Sequence, residues 1–185
     1  NRGEHLRAHI GKGRVGVGDE REACVAAHPF GVEAVAHTED VAELAASSPD
    51  FRFELQEGNL LIMPPADVEH NGIVARLLVW LSVNGFARRV FADTGIAAGP
   101  RTGRVPDLVV LYEEPSGGAG QIWLEPGRVL LAVEVVSGSS TGVDRDLKPR
   151  EYAKAGIVNF WRVEREDGRV TVEMFNLVDG KYQAC

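Results

Sequence analysis

Two apolar runs in this chain each carry one carboxylate. Asp107 follows Val105-Pro106 and opens Leu108-Val109-Val110-Leu111. Glu134 interrupts Val129-Leu130-Leu131-Ala132-Val133 and Val135-Val136. Short runs rich in Val and Leu read as buried strands, so the chain must build a sheet that accommodates charge. A carboxylate is costly to bury among Val and Leu unless something pairs with it. Each could cap a strand end or pair with an arginine, as structural ion pairs do. Two of them on adjacent strand-like segments also suit a shared cation. Paired carboxylates, completed by a substrate phosphate, are the oxygen ligands that Mg²⁺ prefers.

The 185 residues are enough for one domain with one sizeable core. Apolar content of 44% and charged content of 25% are those of an ordinary globular protein. No apolar stretch approaches the ~20 residues of a membrane span, and the polar, Gly-rich start has no signal-peptide pattern. Cys24 and Cys185 have no metal-site spacing, which points to a reduced, cytoplasmic setting. A net charge of −7 opposes generic nucleic-acid binding, which relies on Lys and Arg neutralising phosphates. A metal site would offset that objection, because clustered carboxylates inflate the negative count until a cation binds. Arg101, Arg104, Arg145, Lys148 and Arg150 form either a local basic surface or a scatter of solvated charges.

Residues 1–31 show no sustained period and are expected to be a poorly ordered extension; 32–185 form the domain. Thr38 can cap a short helix reaching about Ala46. Arg52 to Gln56 and Leu60 to Met63 read as a hairpin around Glu57-Gly58-Asn59. Asp67 begins the strongest helix, in which Ile73, Val74, Leu77, Leu78 and Leu81 recur on one face, and Asn84-Gly85 stops it. Strands follow at about 89–97, 107–112 and 129–136, then a helix at about 144–155 ended by Gly156. Two last strands, about 158–164 and 169–175, join at Glu166-Asp167-Gly168. This order predicts an α/β or α+β domain, a single sheet with helices on its faces.

Val105-Pro106-Asp107, followed 27 positions on by Glu134-Val135-Val136-Ser137, resembles the PD-(D/E)XK nuclease superfamily. Within it the chain resembles a bacterial restriction-endonuclease-like family. Phe53-Glu54-Leu55, Glu57-Gly58-Asn59-Leu60, Met63-Pro64-Pro65, Glu69-His70, Asp144 with Lys148, Tyr152, Gly156 and Phe160-Trp161 agree. The resemblance covers roughly 38–183. It implies a restriction-endonuclease-like mixed sheet flanked by helices and a Mg²⁺- or Mn²⁺-dependent DNA endonuclease. It also implies a possible homodimer. The alternative is an inactive nuclease-fold domain that binds nucleic acid or regulates. Asp107, Glu134 and the Val135 carbonyl would ligate the metal. The Glu-x-Lys position holds Val136, which can neither donate a hydrogen bond nor balance charge. The resemblance places the missing lysine at Lys148, one helical turn after Asp144. An ordinary surface ion pair is the alternative for those two.

Glu54 either completes the acidic cluster or is a solvated strand residue. His70 shares the apolar face of its helix. It is either a satisfied boundary histidine or a general base or phosphate contact. Tyr152, one turn beyond Lys148, reads as packing. Trp161 reads as core and Trp123 as a candidate for base stacking or an interface. Two other motifs fail. Gly11-Lys12-Gly13-Arg14-Val15-Gly16 has the spacing of a dinucleotide loop, but no strand precedes it and no helix pattern follows. Gly138-Ser139-Ser140-Thr141-Gly142 has the spacing of a nucleophile elbow. Its triad needs a later histidine, and all five, at 5, 9, 28, 37 and 70, lie upstream.

Overall fold

The computed structural model describes residues 37, 38, 41, 44, 45, 51–63, 65–116, 122–136, 142–166 and 168–185. The expected extension at 1–31, residues 138–141 of the elbow-like motif and Asp167 of the last expected turn lie outside the described residues. Thr38, Val41, Leu44 and Ala45 are helical.

The chain opens with the hairpin β1 (Arg52–Gln56) and β2 (Asn59–Met63). Glu57 and Gly58 both adopt positive φ, 49° and 89°, the geometry that lets a two-residue turn follow the strand twist. Helix α1 spans Val68–Leu81 and is capped by Asp67, whose carboxylate accepts the His70 N–H at 2.7 Å. A π-type turn at Ser82–Phe86 ends it, with Gly85 at φ 96°. β3 (Val90–Ala92) and β4 (Gly95–Gly99) follow, then β5 (Thr102–Arg104), β6 (Leu108–Leu111) and β7 (Trp123–Leu124). β8 (Val129–Val135) leads through a π-type turn at Val143–Leu147 into α2 (Lys148–Lys154). β9 (Asn159–Glu166), β10 (Arg169–Val178) and β11 (Lys181–Ala184) complete the chain.

The fold class is the expected mixed α+β, with the strands distributed over two sheets rather than one. The smaller runs β2-β1-β5-β4-β7 and the larger β11-β10-β9-β8-β6-β3. The division falls inside the strand expected at 89–97. Asp93 takes φ 49°, so β3 pairs with β6 in one sheet while β4 pairs with β5 in the other. β8 and β9 are parallel, and α2 makes the crossover between them.

Alternation along β6 and β8 divides the larger sheet's two faces. Leu108, Val110, Leu131, Val133 and Val135 pack with Ile73 and Leu81 of α1. Val109, Leu111 and Ala132 pack with Tyr152 of α2, Ile157 and Phe160. Burying each such side chain stabilises the fold by roughly 1.5–3 kcal/mol. No helix among the described residues is long and apolar enough to cross a membrane. Trp123 is a packing residue: its indole N–H donates to the Thr38 carbonyl at 2.9 Å, and its ring lies against Gly95 and Gly103. That removes it as a base-stacking candidate.

Candidate metal and catalytic site

Strands β6 and β8 pair Leu108 with Val133 in antiparallel register. One step further along that register sets Asp107 opposite Glu134, so their side chains start from the same face. Both are nearly excluded from water, at 6% and 2% exposure. Asp107 Oδ2 accepts the Val135 N–H at 2.7 Å, and Oδ1 lies 3.1 Å from His70 Nε2. Arg52 stands 3.8 Å from Oδ1. The first turn of α1 and the edge of β8 therefore fix Asp107 together. His70 is buried, and its Nδ1 has no hydrogen-bond partner among the described residues.

Helix α2 covers the other side of Glu134. Pro149, whose missing N–H costs nothing in a first turn, stands beside Lys148. Lys148 is buried, with Nζ 2.9 Å from Glu134 Oε2, 3.1 Å from Asp144 Oδ1 and 3.5 Å from Glu54 Oε1. One turn further, the Tyr152 hydroxyl donates to Glu134 Oε1 at 2.6 Å. Positions 144, 148 and 152 thus share one stripe, as four-residue spacing on a helical turn requires.

Glu54 arrives from the smaller sheet. It is 1% exposed, so the solvated alternative for it is excluded. Oε1 accepts the Val105 N–H at 3.0 Å and Oε2 accepts Arg104 Nη1 at 2.9 Å. Arg104 is wholly buried and reaches Glu151 of α2 with its other edge, Nε at 2.6 Å and Nη2 at 3.0 Å. Of the two alternatives for the basic residues, neither holds for Arg104 and Lys148, which are interior, and Arg145 is bound to Glu164. Arg150 is exposed, 3.7 Å from Asp146.

Four buried carboxylates, Glu54, Asp107, Glu134 and Asp144, share this region with the buried cations Lys148 and Arg104. The imbalance shows in their protonation. Burial pushes the Glu134 carboxyl up to about 8; the charges of Asp144, Asp107 and Glu54 add to the rise, and Lys148 opposes it. Burial also acts to raise Asp107, yet His70, the Val135 N–H and Lys148 outweigh it and hold that carboxyl below its ordinary value. Glu54 is lowered likewise, burial being overcome by Lys148, Arg104 and the Val105 N–H. Burial alone would lower Lys148, but Glu134, Glu54 and Asp144 hold it well above its usual value.

That surplus of negative charge is what a divalent cation would relieve. Asp107 and Glu134, with the Val135 carbonyl, are the oxygen donors that could hold such an ion, and oxygen ligands are what Mg²⁺ or Mn²⁺ takes. Mg²⁺ usually keeps several waters and borrows substrate oxygens. Among the described residues no group of three or more His, Cys, Asp or Glu side chains is placed to hold a metal ion.

Two cores lie on the faces of a mixed sheet, with a helix crossing between its parallel strands, an arrangement that matches a nuclease-like fold. The family model described as "Putative restriction endonuclease" (Uma2) matches residues 38–185, and the chain belongs to that family. Among solved structures, the chain is similar to "a putative nuclease belonging to DUF820" from Anabaena variabilis. The TM-score is 0.55 at 18% identity, covering 71% of this chain and 75% of the other. No curated protein matches the sequence.

Tyr152, Arg104 and Glu151 are the members of this network that sequence reasoning missed. Tyr152 carried a signal, its four-residue spacing from Lys148; Arg104 carried none, since its partners lie 50 and 47 positions away.

Proposed function

We propose that this chain is a divalent-metal-dependent endonuclease that hydrolyses phosphodiester bonds in DNA. The observation that carries this reading is the juxtaposition of Asp107 and Glu134 on paired strands, with Lys148 delivered to Glu134 from α2. Family membership supports it. Asp107, Glu134 and the Val135 carbonyl would hold Mg²⁺ or Mn²⁺. Such an ion, when bound, polarises the phosphate and lowers the pKa of its water. Lys148 would balance charge developing on the phosphate oxygens, the task Val136 cannot perform. Tyr152 holds Glu134 in place, and His70 holds Asp107. Burial makes each of these interactions stronger than it would be in water. Two copies would serve to cut both strands, and the reducing cytoplasm is the expected setting.

A second reading, a non-cleaving domain that binds or regulates nucleic acid, is favoured by one observation. Both Glu134 oxygens already have partners, Lys148 and Tyr152, so an incoming cation must compete with a lysine. Incubation of supercoiled plasmid with Mg²⁺ or Mn²⁺ separates the two. Nicked or linear product, lost in Asp107→Asn, supports the endonuclease. Retention of DNA in a gel shift without cleavage in any divalent metal supports the second reading.

A further inference from the structure

An arginine with no exposed surface needs a reason. Burying a guanidinium costs several kcal/mol unless its donors are matched. Arg104 is matched on both sides. Its register partner across β1 and β5 is Glu54, since Leu55 pairs with Gly103 and the next positions face each other. Nη1 donates to Glu54 Oε2 at 2.9 Å, and Nε and Nη2 grip both Glu151 oxygens. Glu151 lies on α2, between Lys148 and Tyr152. Glu54, held from one side by Arg104, stands 3.5 Å from Lys148 Nζ with its other oxygen.

We propose that Arg104 is the positioning residue for Lys148. It fixes the ammonium twice, by clamping α2 through Glu151 and by holding Glu54, one of the carboxylates the ammonium faces. The guanidinium has no exposed surface and its partners are Glu54 and Glu151, so its effect would run through the residues it holds. A bidentate fork suits the task, because its planar geometry sets both distance and angle. The lysine analogue offers charge without that geometry.

The proposal deepens the endonuclease reading and rests on it only where cleavage is measured. Its test therefore has a readout that needs neither DNA nor metal. The chain has four lysines, at 12, 148, 154 and 181, and Lys154 and Lys181 are exposed. A buried, hydrogen-bonded ammonium exchanges its protons slowly, so the Lys148 ¹⁵N–¹H ammonium resonance is visible and is assigned by its loss in Lys148→Met. Glu151→Gln removes one half of the clamp and leaves every residue facing the metal site intact. Arg104→Lys keeps the charge and loses the fork.

In both variants the Lys148 resonance should broaden or shift, while circular dichroism at 20 °C stays native. If the wild type cleaves plasmid, kcat should fall by about 10- to 100-fold, as small misplacements of reacting groups do, with KM for DNA and Mn²⁺ affinity unchanged. Glu151→Asp, which keeps the carboxylate, should recover part of both signals. A lowered melting temperature with an unmoved Lys148 resonance in both variants would show that Arg104 is merely structural and overturn the proposal. If the wild type does not cleave, the resonance still decides the role of Arg104, and only the endonuclease reading fails.

Discussion

The backbone N–H of Val135 donates to Asp107 Oδ2 at 2.7 Å, so the strand that presents Glu134 also orients the carboxylate opposite it. A change at either position is felt at the other. Asp107→Asn keeps the shape and removes the charge. It should abolish measurable Mn²⁺ binding by calorimetry and lower plasmid cleavage by ~10²-fold or more. Binding that survives at wild-type affinity would remove Asp107 from the donor set.

Lys148→Ala should act differently. Cleavage should drop by ~10²–10³-fold, the usual effect of losing one preorganised charge contact, while Mn²⁺ still binds. Removing one partner of a buried ion pair also costs about 3–5 kcal/mol, and here Glu134, Glu54 and Asp144 all lose their contact with the ammonium, Glu54 keeping Arg104. Urea titration should show that loss, and added divalent metal should restore part of it.

Stability should depend on pH with two opposing limbs. Glu134, raised to about 8 when folded against 4.5 when unfolded, takes up a proton on folding between those values. Its contribution is complete below pH 4.5 and is lost as pH rises to about 8. Asp107 and Glu54 are lowered, so their contributions are present at neutral pH and are lost as pH falls below their ordinary values. Metal-free protein should therefore lose urea resistance from pH 5 to pH 9. Glu134→Gln should flatten that decline and leave the acid limb in place.

The smaller sheet offers a test of packing alone. A Cβ at Gly103 would stand 2.7 Å from the Trp123 ring, and one at Gly95 2.5 Å from it and 2.8 Å from the Ile122 carbonyl. Gly103→Ala should cost ~1–3 kcal/mol by overpacking, read as a lower urea midpoint at unchanged slope. Trp123→Leu in the same chain should recover part of the loss.

What was legible in the sequence was whatever broke a local rule. Asp107 and Glu134 stand out because carboxylates do not belong in apolar runs, and the structure sets them on paired strands. The 144/148 pair followed from one helical turn. Glu54 was a candidate from the start, but its pairing with Arg104 was opaque because it depends on β1 pairing with β5, a three-residue Thr-Gly-Arg strand with no apolar alternation to announce it. The break of 89–97 into two strands was equally hidden. It turns on the backbone of Asp93, a non-glycine residue at positive φ, which composition alone does not signal. Tyr152 was read as packing because its ring does pack, against Phe160; its hydroxyl showed its purpose only once Glu134 stood 2.6 Å away.

The turn at Asp93 sends the chain from one sheet to the other, and the charges around Lys148 are drawn from both. Glu54 is a loan from the smaller sheet, Glu134 from the larger, and α2 holds the ammonium between the two. Alignment at that seam is a finer thing than the integrity of either half. A slip of about an ångström would part the ammonium from its carboxylates and break no strand pairing, since such contacts weaken within that distance. Gentle heating should therefore silence the chemistry while the far-ultraviolet spectrum is still that of the folded chain, and cooling should bring it back.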